Sequence, residues 1–117
     1  MSVRFNAVIK AAAGLADVKE GTTYGSPALK VHGKLLACLA VHKSAEPNSL
    51  VVRIGFQQRD ELIAADPVTY YLTDHYVDYP SVLVRLSKIH PDALKDLLGV
   101  AWKFATDNKA KHSRSRR

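Results

Sequence analysis

From Ala28 to Val41 the chain reads ALKVHGKLLACLAV, two apolar runs interrupted at His32-Gly33. A two-residue loop ending in glycine between such runs is what a tight hairpin turn with positive φ prefers, so this stretch predicts a β-hairpin. The turn sets a register in which Val31 faces Lys34, Lys30 faces Leu35, Leu29 faces Leu36 and Ala28 faces Ala37. Side chains alternate across a strand, and opposed residues share a face. Leu29, Val31, Leu36, Cys38 and Ala40 are therefore expected on one side, with Ala28, Lys30, Leu35, Ala37, Leu39 and Val41 on the other.

The rest of the chain supplies elements to pack against this hairpin. Phe5, Val8, Ile9 and Ala12 recur at helical spacing behind Ser2, which predicts an amphipathic helix over residues 3–13. Thr22, Thr23 and Tyr24 suit a short strand that Gly25-Ser26-Pro27 breaks, and the polar segment 42–49 reads as a loop. Leu50, Val52 and Ile54 alternate with Val51 and Arg53 in a strand, and a short helix carrying Phe56, Leu62 and Ile63 must stop at Asp66-Pro67. Residues 68–79, rich in Tyr, Thr and Val, predict a short strand followed by an irregular aromatic loop. Val82, Val84 and Leu86 alternate with Leu83 and Arg85 in the last strand. Pro91 and Asp92 then open a helix with Leu94, Leu97, Leu98, Ala101 and Ala105 as its apolar stripe. Strands and short helices without a βαβ rhythm imply an α+β domain, an antiparallel β-sheet with helices packed mainly on one face. Those helices should cover Leu29, Val31, Leu36, Val52, Val84 and Leu86. Lys30, Arg53 and Arg85 then emerge together on the opposite face.

Composition bounds what such a fold can do. At 117 residues and 47% hydrophobic content the chain suffices for one domain with its own core. No apolar run approaches the ~20 residues of a membrane span, and the N-terminus lacks a continuous apolar segment, so no membrane partner is expected and a cytoplasmic location is. The single Cys38 excludes an intramolecular disulfide and a multi-cysteine metal site, and is expected as a small buried hydrophobe. The net charge of +6 is unevenly placed: residues 103–117 carry +5 and residues 1–102 only +1. The division expected is therefore an α+β domain over 1–108 and a disordered basic tail over 109–117.

With these residues in place the chain resembles the MmcQ/YjbR family of small proteins predicted to bind DNA. The matching pieces are EGTTYGSPALKVHGKLLA (20–37), SLVVRIGFQQRDELIAADP (49–67), LTDHYVDYPSVLVRL (72–86) and LKDLLGVAWKFA (94–105). The resemblance implies a compact fold like that of CyaY and a non-enzymatic DNA-binding role. It implies no catalytic residue and no cofactor. The Arg/Ser/Lys tail is a departure from the family pattern.

Candidate sites follow from the face assignments and the residue types. Lys30, Lys34, Arg53 and Arg85 are candidates for phosphate contact across the sheet face, and Lys109, Lys111, Arg114, Arg116 and Arg117 for weak, salt-sensitive DNA contact through the tail. The alternative is a small-ligand-binding or self-associating module, including a homodimer, built on the open sheet face and the tyrosine-rich loop. Tyr24, Asp74, His75 and Tyr76, with Tyr70, Tyr71 and Tyr79 near them in type, are its candidate pocket residues. Asp74, His75 and Asp78 are the best carboxylate and imidazole grouping for a metal or acid–base pair, but three such residues in five is a weak signal against a packed or solvated loop, and no metal is assigned. No phosphate loop, dinucleotide fingerprint, nucleophile elbow or zincin helix is present, so an enzyme is not expected.

Overall fold

The computed structural model describes residues 5–115, with side chains described through residue 107. His32 and Gly33 have φ of 52° and 79°. Positive φ at both central residues is the turn whose twist matches paired antiparallel strands, and it joins β2 (Ser26–Val31) to β3 (Lys34–Leu39) as expected. Tyr24 and Gly25, with φ of 50° and 76°, repeat that geometry between β1 (Val18–Thr23) and β2. The sequence reading confined this strand to residues 22–24. Lys19, Glu20 and Gly21 lack apolar alternation because β1 is a solvent-exposed edge that pairs through its backbone alone on one side.

The chain continues through β4 (Ser49–Arg53), α2 (Phe56–Ala65), β5 (Tyr70–Tyr71), β6 (Ser81–Arg85) and α3 (Pro91–Ser115), preceded at the start by α1 (Phe5–Ala11). Six strands form one antiparallel sheet in the order β1-β2-β3-β4-β6-β5. The expected α+β class is observed. The Ser2 cap lies outside the described residues. The backbone of α3 runs into the segment expected as a tail, but the side chains of 108–117, including Lys109, Lys111, Arg114, Arg116 and Arg117, lie outside those described.

One register expectation is overturned. Val31 pairs with Lys34 and Lys30 with Leu35, but Leu29 then pairs with Ala37 and Ala28 with Cys38. Leu36 is an extra residue in β3, a bulge that shifts the two-residue alternation by one. Leu36 and Ala37 are both buried in the main core, joined by Leu39, whereas Leu35, Cys38 and Ala40 turn to the other face. The expectations for Leu29, Val31, Leu36, Ala28 and Leu35 hold, and those for Ala37, Cys38, Leu39 and Ala40 reverse. A strict alternation cannot reveal a bulge among uniformly small or apolar residues.

Helices α1 and α3 cover the main face, where Val8, Leu29, Val31, Leu36, Leu50, Val52, Val82, Val84, Leu86, Leu94 and Leu98 are almost fully buried. Each large aliphatic side chain removed from water contributes about 1.5–3 kcal/mol, so this layer holds the sheet to α3. Trp102 flanks the stripe and donates its indole N–H to the Ala16 carbonyl at 2.9 Å, fastening the segment between α1 and β1. A smaller cluster of Ala28, Cys38, Val51 and Leu83 lies on the opposite face under Leu35, Ala40, Ala45, Tyr71 and Tyr76. That face is therefore partly covered by loops.

A Cβ at Gly33 would meet nothing within 4 Å, so any cost of substitution there is backbone strain alone. Gly33→Val should destabilise by at least about 1–2 kcal/mol, read as a fall in Tm of about 4 °C or more, whereas His32→Asn should be neutral or better because Asn tolerates this conformation. An unchanged Tm for Gly33→Val in thermal denaturation would contradict the turn geometry.

Candidate functional site

Two loops lie over the smaller cluster, residues 40–48 after β3 and residues 72–80 between β5 and β6. Buried side chains and the sheet edge hold both. Arg85 leaves β6 on the face opposite the main core and makes a bidentate pair with Glu46, at 2.8 Å and 2.7 Å. Its remaining Nη1 donates to the carbonyls of Pro67 at 3.1 Å and Val68 at 2.9 Å, and the guanidinium lies 4.1 Å over the Tyr71 ring. The Tyr71 hydroxyl accepts from the Glu46 backbone N–H at 2.8 Å and is 2.6 Å from Ser49 Oγ. This network ties the 40–48 loop to the far edge of the sheet.

The second loop is anchored from α2. Arg59 is 7% exposed and donates to the carbonyls of Val77 at 2.9 Å and Tyr79 at 3.3 Å, with Asp60 balancing its charge at 2.9 Å. Sequence reasoning passed over Arg59 because it sits in a short helix among exposed glutamines and acids. No local pattern marked it, because the carbonyls it meets lie 18 and 20 positions further along the chain.

The loops meet through their rings. His42 and His75 stack at 3.5 Å between centroids with planes 7° apart, and Tyr76 stands edge-on to both. Ser44 Oγ bridges His42 Nδ1 and Thr73 Oγ1, each at 2.8 Å. The Ser44 backbone N–H also donates to His42 Nδ1, so the neutral His42 ring carries its proton on Nε2. Partial desolvation, then the charges of His75 and Lys43, hold the His42 pKa below its ordinary 6.5.

Between these loops and the β1–β2 turn lies a cleft of about 660 Å³. Leu35, Cys38 and Val51 floor it, His42, His75, Tyr76 and Tyr79 wall one side, and Arg53 and Ser81 occupy one end. Burial pushes the Cys38 thiol pKa up and that of the Tyr76 hydroxyl likewise, so both present neutral groups to the cleft. Tyr24 stands at the lip, 92% exposed and in the left-handed region that a bulky residue enters only with strain. Arg53 makes no hydrogen bond or ion pair among the described residues, and no Asp or Glu lines the cleft among them.

The expected basic constellation is divided. Arg53 reaches the cleft, and Lys34 shares with it a neighbouring groove beside Phe104 and Ala105. Lys30 instead lies with Asp17, Lys19 and Glu20 near the edge strand. Arg85 is committed to Glu46 and two carbonyls rather than presented to an anion. Of the expected pocket residues, Tyr24, His75, Tyr76 and Tyr79 line the cleft, and Asp74 does not. His75 joins His42, not Asp74 and Asp78, and no cluster of three metal-ligating residues occurs among the described residues. Tyr70 is buried and Tyr71 belongs to the Arg85 network. His42 was missed as a partner of His75 because 33 positions of chain separate them in sequence.

These features define an α+β domain with a loop-walled cleft on the face of its sheet that the main core leaves open. The fold is shared with the crystal structure of Deinococcus radiodurans protein DR2400, a DUF419 domain, which superposes with a TM-score of 0.71 over 91% of this chain and 80% of that one at 18% identity. DUF419 is the MmcQ/YjbR family. The uncharacterised proteins Rv2570 of Mycobacterium tuberculosis and Mb2600 of Mycobacterium bovis are each 41% identical to this chain over 54 residues. That match spans 42% of this chain and 42% of the length of those relatives. No family model matches the chain. No helix among the described residues is long and apolar enough to cross a membrane.

Arg85→Ala strips the partner from Glu46 and from two carbonyls, so it should lower Tm by several degrees, whereas Arg53→Ala, which breaks no such bond, should leave Tm nearly unchanged. The Glu46 pKa is held below its ordinary 4.5, chiefly by the hydrogen bond from Arg85. The stabilisation from this pair is therefore present above pH 4.5 and lost as pH falls through the lowered value. Equal Tm values for the two arginine variants would show that the network carries no stability.

For His42, a lowered pKa in the folded state means that the unfolded chain takes up the proton first, so the stabilisation from the stack is full above pH 6.5 and declines as pH falls through the lowered value. An NMR titration of the His42 Cε1–H resonance should give a midpoint below 6.5 that rises in His75→Ala. A midpoint at or above the ordinary value would contradict the stacked arrangement.

Proposed function

We propose that this chain is a non-enzymatic module of the MmcQ/YjbR type that binds a small organic molecule in the cleft over its open sheet face. The observation that carries this reading is Arg53, a cation without a partner among the described residues, placed at the end of an apolar cleft walled by aromatic rings. The volume of about 660 Å³ falls within the range of small-molecule sites, which combine apolar walls with a few placed polar groups. Tyr24 supports it further, since strain and near-complete exposure of an aromatic residue at a cleft lip suit a contact made in another state of the molecule. Burial keeps the one thiol in the cleft protonated, so Cys38 is not poised as a nucleophile there. Self-association through this face is disfavoured by the loops over Val51 and Leu83.

A second reading, weak contact with duplex DNA, is favoured by the groove that Lys34 and Arg53 share beside Phe104, next to the start of the 103–117 sequence segment that carries +5 of the net +6. The two readings separate in one NMR experiment. Planar organic fragments at millimolar concentration should shift the amides of Leu35, Cys38, Val51, Arg53 and Ser81, and Tyr24→Asn should weaken binding at least about fivefold while keeping or raising Tm, because Asn accepts the turn conformation. Absence of any fragment binding overturns the cleft reading. DNA contact would instead shift Lys34 and Lys103, with an affinity falling by about 0.9 log units per log unit of salt for each phosphate contacted.

A further inference from the structure

We infer that the cleft selects a planar aromatic carboxylate, a single negative charge on a flat apolar body, an assignment that rests on the cleft being a ligand site. Among the described lining residues Arg53 is the one permanently charged group, and nothing acidic offsets it. A guanidinium facing apolar walls favours a ligand that brings one carboxylate, since the fork of N–H donors matches the two oxygens of that group. A nucleotide or phosphate monoester carries more charge than one cation answers, and a neutral ligand leaves the guanidinium desolvated and unpaired.

Placement of the lining residues sets the shape. Arg53 pairs with Ser81 across β4 and β6, so the polar end of the cleft is a position fixed by the sheet. Val51 lies two residues back on the same face of β4, about 7 Å along the strand, and with Cys38 and Leu35 forms an apolar floor. A carboxylate at Arg53 thus places a ring system over that floor. Rings at His75, Tyr76 and Tyr79 then offer faces and edges to a flat body, which aromatic groups prefer in offset or perpendicular contact. The roominess of the cleft favours two fused rings over one, so indole-3-acetate and 2-naphthoate are the probes of choice.

Each acid is titrated against its matched neutral amide, indole-3-acetamide or 2-naphthamide, by NMR with the full chain. The acids should bind about tenfold tighter, the surplus of a charge-assisted hydrogen bond over a neutral one. In Arg53→Gln, checked for an unchanged spectrum outside the cleft, acid and amide should bind alike at the affinity the amide has for the unaltered protein. Arg53→Lys should restore part of the preference, because it keeps the charge and loses the fork. Amides that bind as well as acids, or a preference that survives Arg53→Gln, overturn the carboxylate assignment while leaving the cleft a ligand site. Tighter binding of 2-naphthyl phosphate than of 2-naphthoate overturns it in favour of a phosphate ester. Binding of neither acid nor amide overturns both the assignment and the cleft reading beneath it.

Discussion

The ladder between β2 and β3 carries one more residue on the β3 side, at Leu36, and the two faces of the molecule depend on that extra residue. It lets Leu36 and Ala37 enter the main core together and turns Cys38 to the opposite face. Without it, Cys38 would lie under α3 and Ala37 would floor the cleft. Because β3 is central, with β2 and β4 on either side, the shift also sets which side chains of β4 it meets: Cys38 opposes Val51, and both belong to the smaller cluster. A bulge costs a regular pair in the ladder, and here the burial of two consecutive apolar residues in one core offsets the loss.

The cleft is a consequence of how the second face is covered. A sheet with a helical layer on one side leaves apolar residues on the other, and in this chain two loops, not a second layer of helices, take that place. Irregular segments carry backbone groups that must be paired, which Arg59 does for the carbonyls of Val77 and Tyr79 in the second loop and Arg85 for those of Pro67 and Val68 in the connection between α2 and β5. Two arginines are thereby withdrawn from the surface charge. The loops meet at the His42–His75 stack and stop short of the β1–β2 turn, and the space left between them is the cleft.

This distribution of roles separates three positive charges that a register argument places together. Lys30, Arg53 and Arg85 do emerge on one face, but their neighbours differ in kind: acidic and basic groups of the edge strand around Lys30, an apolar cleft beside Arg53, and a carboxylate with two carbonyls around Arg85. A shared face is not a shared site. What distinguishes Arg53 is that it alone of the three points into a concave, largely apolar volume without a partner among the described residues, where a charge interaction is least weakened by water.

Local chemistry determined much of the fold directly from sequence. The His32-Gly33 turn, the stop at Asp66-Pro67, the start of α3 at Pro91 and its stripe of Leu94, Leu97, Leu98, Ala101 and Ala105 each depend on neighbours within about two helical turns, and each stands where the residues place it. The α+β class followed from their order, and Tyr24, His75, Tyr76 and Arg53 were legible as candidates by residue type and face. Tertiary structure decided the bulge at Leu36, the length of β1, the capture of Arg85 by Glu46 and the meeting of His42 with His75. Those outcomes join residues as far as 39 positions apart or turn on one extra residue in an apolar run, and in both cases the deciding energy is packing and pairing between segments that no local pattern encodes.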